Sequence, residues 1–198
     1  MMKLSIVLFF IFSLTGCGSL ANSLAEVTGL SFLHDRRSST AIALDESIED
    51  SAIIELHAFD DIKEHAHFNI TSYNGKVLVT GEAESENIRD KIIANIRIIP
   101  GVKLVHNEMD IAPISTMQSR SEDALITITV KDALTKIKGK PGFDATRVKV
   151  ITERKVVYLM GIVHEEEGDA AAKVVQNVPD VSKIVTVFEY IDYAKKNN

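Results

Sequence analysis

From residue 46 onward the apolar positions fall into two successions that run through the same order of periods. In the first, Ile48, Ala52, Ile53, Leu56 and Phe59 recur at mostly helical intervals, which places them along one helix face. Phe68-Asn69-Ile70-Thr71-Ser72-Tyr73 then alternates as a strand does. Asn74-Gly75 marks a two-residue hairpin turn, and Lys76-Val77-Leu78-Val79-Thr80-Gly81 predicts the returning strand. Glu82 to Ile98 regains a helical pattern, with Ser85 placed as a cap and acids in the first turn. Pro100-Gly101 ends that helix, and Val102 to Ile111 predicts a closing strand.

The second succession repeats this order. Leu125, Ile128, Ala133, Leu134 and Ile137 fit part of a helix face, although Ile126-Thr127-Ile128-Thr129-Val130 alone alternates as a strand. Val148 to Thr152 and Lys155 to Gly161 predict a second hairpin, Glu165 to Val178 a second helix stopped by Pro179, and Ser182 to Ile191 a last strand. Gly81 answers to Gly161, and Pro100 to Pro179. The predicted class is α+β: two tandem helix–strand–strand–helix–strand units, each with its helices packed on one sheet face. A unit this small is marginal alone, so the two are expected to pack together.

The expected boundaries are 46–112 for the first unit, 113–121 for a linker, 122–192 for the second unit and 193–198 for a tail. Residues 17–45 predict a tether, because Asp35-Arg36-Arg37-Ser38-Ser39-Thr40 is polar and lacks a period. Leu30, Phe32 and Leu33 nevertheless give the tether apolar side chains with which to dock.

Ahead of this, Lys3 precedes an apolar run from Leu4 to Phe12, and Ser13-Leu14-Thr15-Gly16-Cys17 supplies small residues. That is the layout of a secretory signal peptide over residues 1–16, shorter than the roughly 20 apolar residues a bilayer span needs. Leu14-Thr15-Gly16-Cys17 resembles a bacterial lipobox, which implies cleavage before Cys17 and lipid on its thiol. Cys17 is the chain's only cysteine, so it has no internal disulfide partner. Several acyl chains, at about 0.8 kcal/mol per buried methylene, hold a protein stably on a membrane. Gly18 stands where Asp would imply inner-membrane retention, so the resemblance implies the outer membrane, with the body facing the periplasm.

Composition narrows the function. The net charge of −6 argues against nucleic acid as a partner, for which a basic face is the usual footprint. Charge is also unevenly spread. Residues 131–155 hold eight Lys or Arg and three acids, whereas residues 49–111 hold six basic and twelve acidic residues. A charge run of this kind is an ordinary solvated face unless something else marks it.

Catalysis is not expected: there is no Gly-x-Ser-x-Gly elbow, no phosphate-binding glycine loop and no cysteine left as a nucleophile. His65-Ala66-His67 puts two imidazoles on one side of a strand, with Glu64 and His57 nearby in sequence but no clear third ligand. They read as solvent-exposed histidines, and no metal or cofactor is expected. Glu165-Glu166-Glu167 reads as acids favoured at a helix start, without the alternating oxygens of a calcium loop.

Several motifs follow one another in a recognisable order: Asn69-Ile70-Thr71, Gly75 to Gly81, Pro100-Gly101-Val102, Val156 to Gly161 and Pro179-Asp180-Val181. They resemble the BON-domain family and, with the lipobox and two units, the dual BON-domain outer-membrane lipoproteins. The resemblance covers nearly all of the chain beyond the signal. It implies binding of anionic phospholipid, mainly through the first helix of the second domain, in support of envelope integrity. On that reading Lys131, Lys136, Lys138 and Lys140 are head-group candidates, and Leu125 and Ile126 are candidates for apolar insertion. Relatives carry Trp where Leu125 stands, and leucine lacks the interfacial preference of an aromatic ring. The alternative expectation is a periplasmic adaptor for envelope proteins, with no lipid site of its own.

Overall fold

A computed structural model describes residues 35–137 and 143–192. The predicted signal peptide, Cys17, most of the tether, Lys138, Lys140 and the tail lie outside the described residues. The first domain comprises α1 (Ser39–Leu56), a short α2 (Asp60–His65), β1 (Ala66–Tyr73), β2 (Lys76–Ala83), α3 (Glu86–Arg97) and β3 (Leu104–Ile111). The second comprises α4 (Met117–Thr135), a 3-10 turn at Ala145–Arg147, β4 (Lys149–Glu153), β5 (Val156–Val163), α5 (Glu165–Val175) and β6 (Lys183–Tyr190).

Each sheet has three strands, in the order β1-β2-β3 and β4-β5-β6. The first pair is antiparallel and joined by a hairpin, whereas the second is parallel and bridged by a helix, as parallel neighbours require. Ser85 does cap α3, its hydroxyl accepting from the Ile88 N–H. The helix starts later than the pattern predicts, because Glu82 and Ala83 still pair with β1. Gly81 is required in β2: its φ is +117°, and a Cβ there would lie 2.1 Å from the His67 carbonyl oxygen. Gly161 repeats the close approach in β5, where a Cβ would meet the Arg147 carbonyl at 2.3 Å.

Alternation along the central strands divides the core into three. Val77 and Val79 pack with Ile48, Ala52, Leu56, Ile92 and Ile96 under the helices of the first domain. Val157 and Leu159 do the same with Ile126, Val130, Leu134, Ala171 and Val175 in the second. The opposite faces of both sheets supply a third cluster, in which Tyr73 and Leu78 join Tyr158, Met160, Ile162 and Val187. The sheets therefore face each other with helices on the outside. This is why Val156 to Val163 reads as a nearly unbroken apolar run: both of its faces are covered.

Both first helices begin upstream of the expected domain starts. The stretch expected to be tether is, over residues 35–45, part of the folded body. Ser38 caps α1, Asp45 is buried, and Arg37 binds both Asp35 and Asp45. Similarly, α4 begins at Met117, inside the expected linker, and runs as one helix through Ile126 to Val130. Buried Asp45, Ile48, Ala52 and Leu56 recur at a constant offset as Asp123, Ile126, Val130 and Leu134. The repeat thus starts earlier than the strands alone indicate.

The two aspartates do the same work. Asp45 accepts from the backbone N–H groups of Asn74 and Gly75 at 2.7 and 2.8 Å, and from the Ser72 hydroxyl. Asp123 accepts from the backbone N–H groups of Arg154 and Lys155 at 2.9 and 2.8 Å. Each first helix therefore clamps its domain's hairpin turn. Both turns place two consecutive residues at positive φ, which Asn74-Gly75 tolerates well and Arg154-Lys155 tolerates poorly.

Candidate functional site

The core face of α4 is set by Ile126, Val130 and Leu134, stacked at intervals of four against the second sheet. That orientation turns Leu125 and Ile128 outward, contrary to the face predicted for the helix. Met117, Leu125 and Ile128 are 73%, 65% and 64% exposed, an apolar stripe on a surface helix. Ile126, by contrast, is 6% exposed, so the expectation that it inserts into a membrane is corrected: it is a core residue, the counterpart of Ile48. Apolar spacing alone does not mark Met117 and Ile128 as surface residues, because it starts α4 later and turns its other face inward. The constant offset from Ile48, Ala52 and Leu56 to Ile126, Val130 and Leu134 is the signal in the sequence that places both outside.

Lys131 and Lys136 lie on the exposed side of the last turns of α4. Lys136 is held by Asp132, one turn back, whereas Lys131 makes no ion pair among the described residues. Beside the helix lies an open groove of about 440 Å³, bordered by Leu125, Thr129, Glu122, Lys155, Pro179 and Asp180. It brings the loop after α5 next to the apolar stripe, a juxtaposition that spacing alone does not reveal. Lys155 and Glu122 pair across it at 3.5 Å. Among the described residues no helix is long and apolar enough to cross a membrane.

A second cluster lies where the domains meet. His65 is exposed and pairs with Glu84 at 2.8 Å, whereas His67 points toward Glu82 and Glu153. The expectation that both histidines are solvent-exposed is thus corrected for His67, whose side chain is 18% exposed. Its Nδ1 lies 3.4 Å from a Glu82 carboxylate oxygen and 3.8 Å from one of Glu153. Glu82 and Glu153 are both buried, an arrangement that costs free energy unless compensated. Glu82 accepts from the Ser115 N–H and pairs with Arg154 at 3.4 Å, and one Glu153 oxygen accepts from the Asn69 amide. Burial, and then the neighbouring Glu82 carboxylate, push the Glu153 pKa up to about 7. Burial, and then Arg120, hold His67 below the ordinary histidine value against the opposing pull of Glu82. The sequence separates these groups widely, so only β1–β2 pairing and domain packing bring them together.

A sequence profile of the BON domain matches residues 46–113 and 122–192. The chain is 30% identical to Outer membrane lipoprotein DolP of Haemophilus influenzae over 190 residues, which is 96% of each chain. It is 32% identical to a 21 kDa hemolysin of Actinobacillus pleuropneumoniae over 157 residues, 79% of each. Among solved structures, the C-terminal domain of CdsD from the type III secretion system of Chlamydia trachomatis aligns at 12% identity. That alignment covers 75% of this chain and 67% of the other, at a TM-score of 0.29, too low to bear on fold or function. The two profile matches and the end-to-end likeness to a lipoprotein make this chain a member of the BON-domain family, with two BON domains in tandem.

Proposed function

We propose that this protein is a lipid-anchored outer-membrane protein, facing the periplasm, that binds anionic phospholipid through α4 of its second domain and so supports envelope integrity. One observation carries the reading: Leu125, Ile128 and Lys131 follow one another at intervals of three on the exposed side of a single helix. Apolar side chains beside a lysine on a solvent-facing helix suit a surface that is hydrocarbon below and anionic above. Lys131 and Lys136 supply charge, Leu125 and Ile128 supply apolar contact, and the neighbouring groove offers room beside them. Each basic residue near an anionic surface contributes about 1 kcal/mol, so two lysines give weak binding. Lipid on Cys17 raises the local concentration of α4 at the membrane, so a weak contact is sufficient.

The test is co-sedimentation of the non-acylated protein with vesicles that contain or lack phosphatidylglycerol, at low salt. Ile128→Asp and the pair Lys131→Glu with Lys136→Glu alter exposed positions only, so folding is expected to survive them. Binding that requires the anionic lipid and is lost in both variants supports the proposal. Equal binding by wild type and variants overturns the assignment to α4, and no binding at all leaves the adaptor reading in its place.

A further inference from the structure

We propose that His67, Glu82 and Glu153 form a site for a divalent transition-metal cation of the zinc class, with ligands drawn from both domains. One ligand atom from each of the three lies within 4.8 Å of the others. The 3.4 and 3.8 Å separations from the His67 Nδ1 to the two carboxylates are close to what a tetrahedral ion needs. With bonds of about 2.0–2.2 Å, such an ion holds its ligands about 3.3–3.6 Å apart. A small adjustment of Glu153 closes the set.

A second observation is independent of the clustering. Glu153 is 4% exposed, yet among the described residues its Oε1 has no hydrogen-bond partner, and the His67 Nδ1 lies across from it at 3.8 Å. Buried polar atoms are nearly always satisfied, so a carboxylate oxygen left unpaired and aimed at an imidazole nitrogen marks a place for a bridging species. An imidazole nitrogen with two carboxylate oxygens is a donor set that suits zinc and similar ions.

The surroundings also fit. The Asn69 amide orients Glu153, while the Ser115 N–H and Arg154 orient Glu82, the supporting bonds that metal-ligating carboxylates commonly have. Near the site the acids Glu82, Glu153 and Asp123 outnumber the cations Arg120 and Arg154, leaving negative charge for a cation to offset. An open groove of about 250 Å³, bordered by His67, Arg120, Thr152 and Glu153, gives water access to a fourth coordination position. His67 and Glu82 belong to β1 and β2, and Glu153 to β4, so a bound ion clips the two domains together. An ion that binds only the folded, paired state stabilises that state.

The test is titration of the intact, metal-stripped chain with zinc chloride by calorimetry, alongside thermal unfolding with and without zinc. Glu153→Gln keeps the acceptor for Asn69 but removes the charge, and His67→Gln is the second variant. His65→Ala controls for adventitious binding at the exposed histidine. The expected result is one zinc per chain, a raised unfolding temperature, and affinity reduced at least about tenfold in both site variants but not in His65→Ala. Circular dichroism without zinc confirms that the variants fold. Absence of saturable binding, or binding that persists in Glu153→Gln and His67→Gln, overturns the proposal.

Discussion

The Arg36 guanidinium donates to both carboxylate oxygens of Glu167, joining the segment ahead of the first domain to the first turn of α5 in the second. Arg36 also donates to the Ile162 carbonyl, and the Tyr73 hydroxyl donates to Asp35 beside it. Glu167 is shared further, accepting from Arg147 at 3.2 Å and from the His164 N–H at 2.8 Å. A short polar segment thus acts as a strap across the paired sheets.

The strap predicts a measurable cost for its loss. Arg36→Ala removes charge-assisted hydrogen bonds from a carboxylate that is itself buried, and is expected to lower unfolding free energy by about 1–3 kcal/mol. Urea denaturation measures this. An effect within error would show that Arg147 and the His164 N–H satisfy Glu167 without Arg36.

Acid should weaken the clamp formed by Asp45. Burial raises the Asp45 pKa, but hydrogen bonds from Ser72, Gly75, Arg37 and Asn74 outweigh it and hold the carboxyl below its ordinary value. A carboxyl lowered by folding contributes stability that is fully present above its unfolded pKa of about 4. That contribution is lost as pH falls through the lower folded value. Asp45→Asn should therefore be less stable than wild type by more than about 2 kcal/mol near neutral pH, with the gap narrowing below about pH 4. Denaturant midpoints of both proteins across pH 3–7, taken as a difference, isolate this group. A gap that stays constant with pH would refute the assignment.

Relief of strain in the second hairpin should stabilise the protein. Lys155 holds a φ of 63°, where the first hairpin uses Gly75. Among the described residues its side chain makes one ion pair, exposed, with Glu122, which counts for little. Lys155→Gly keeps the N–H that Asp123 accepts and removes the left-handed penalty. The expected gain is up to about 1 kcal/mol by thermal or urea unfolding. Any loss of stability would mean that the lysine stem packs more favourably than its exposure indicates.

The sheet-to-sheet core should behave as a true core. Leu78 is 1% exposed and clusters with Tyr158 and Met160 from the other domain. Leu78→Ala is expected to cost about 2–5 kcal/mol, comparable with the same change under the helices. A cost below about 1 kcal/mol would show that the domains fold with little dependence on each other.

The order of helices and strands is written in local sequence. Period-two runs, the Asn74-Gly75 turn, the Ser85 cap and the breaks at Pro100 and Pro179 act over a few residues, so the strands and the second helix of each unit were legible with small shifts at their ends. The family was legible too, because its motifs are runs of neighbouring residues. Which way α4 faces is set by tertiary packing. Leu125 and Ile126 are adjacent and equally apolar, and only packing on β4 and β5 buries one and exposes the other. Packing also gives Asp45 and Asp123 their roles, since they look like ordinary helix acids until the hairpin turns fold back onto them. Likewise, Leu78 and Tyr158, or His67 and Glu153, meet only when two sheets built far apart in the chain come face to face. Local pattern reports the order of elements because helices and strands are made of near neighbours. Burial of a given side chain, and the company it keeps there, depends on residues too distant along the chain for any local pattern to encode.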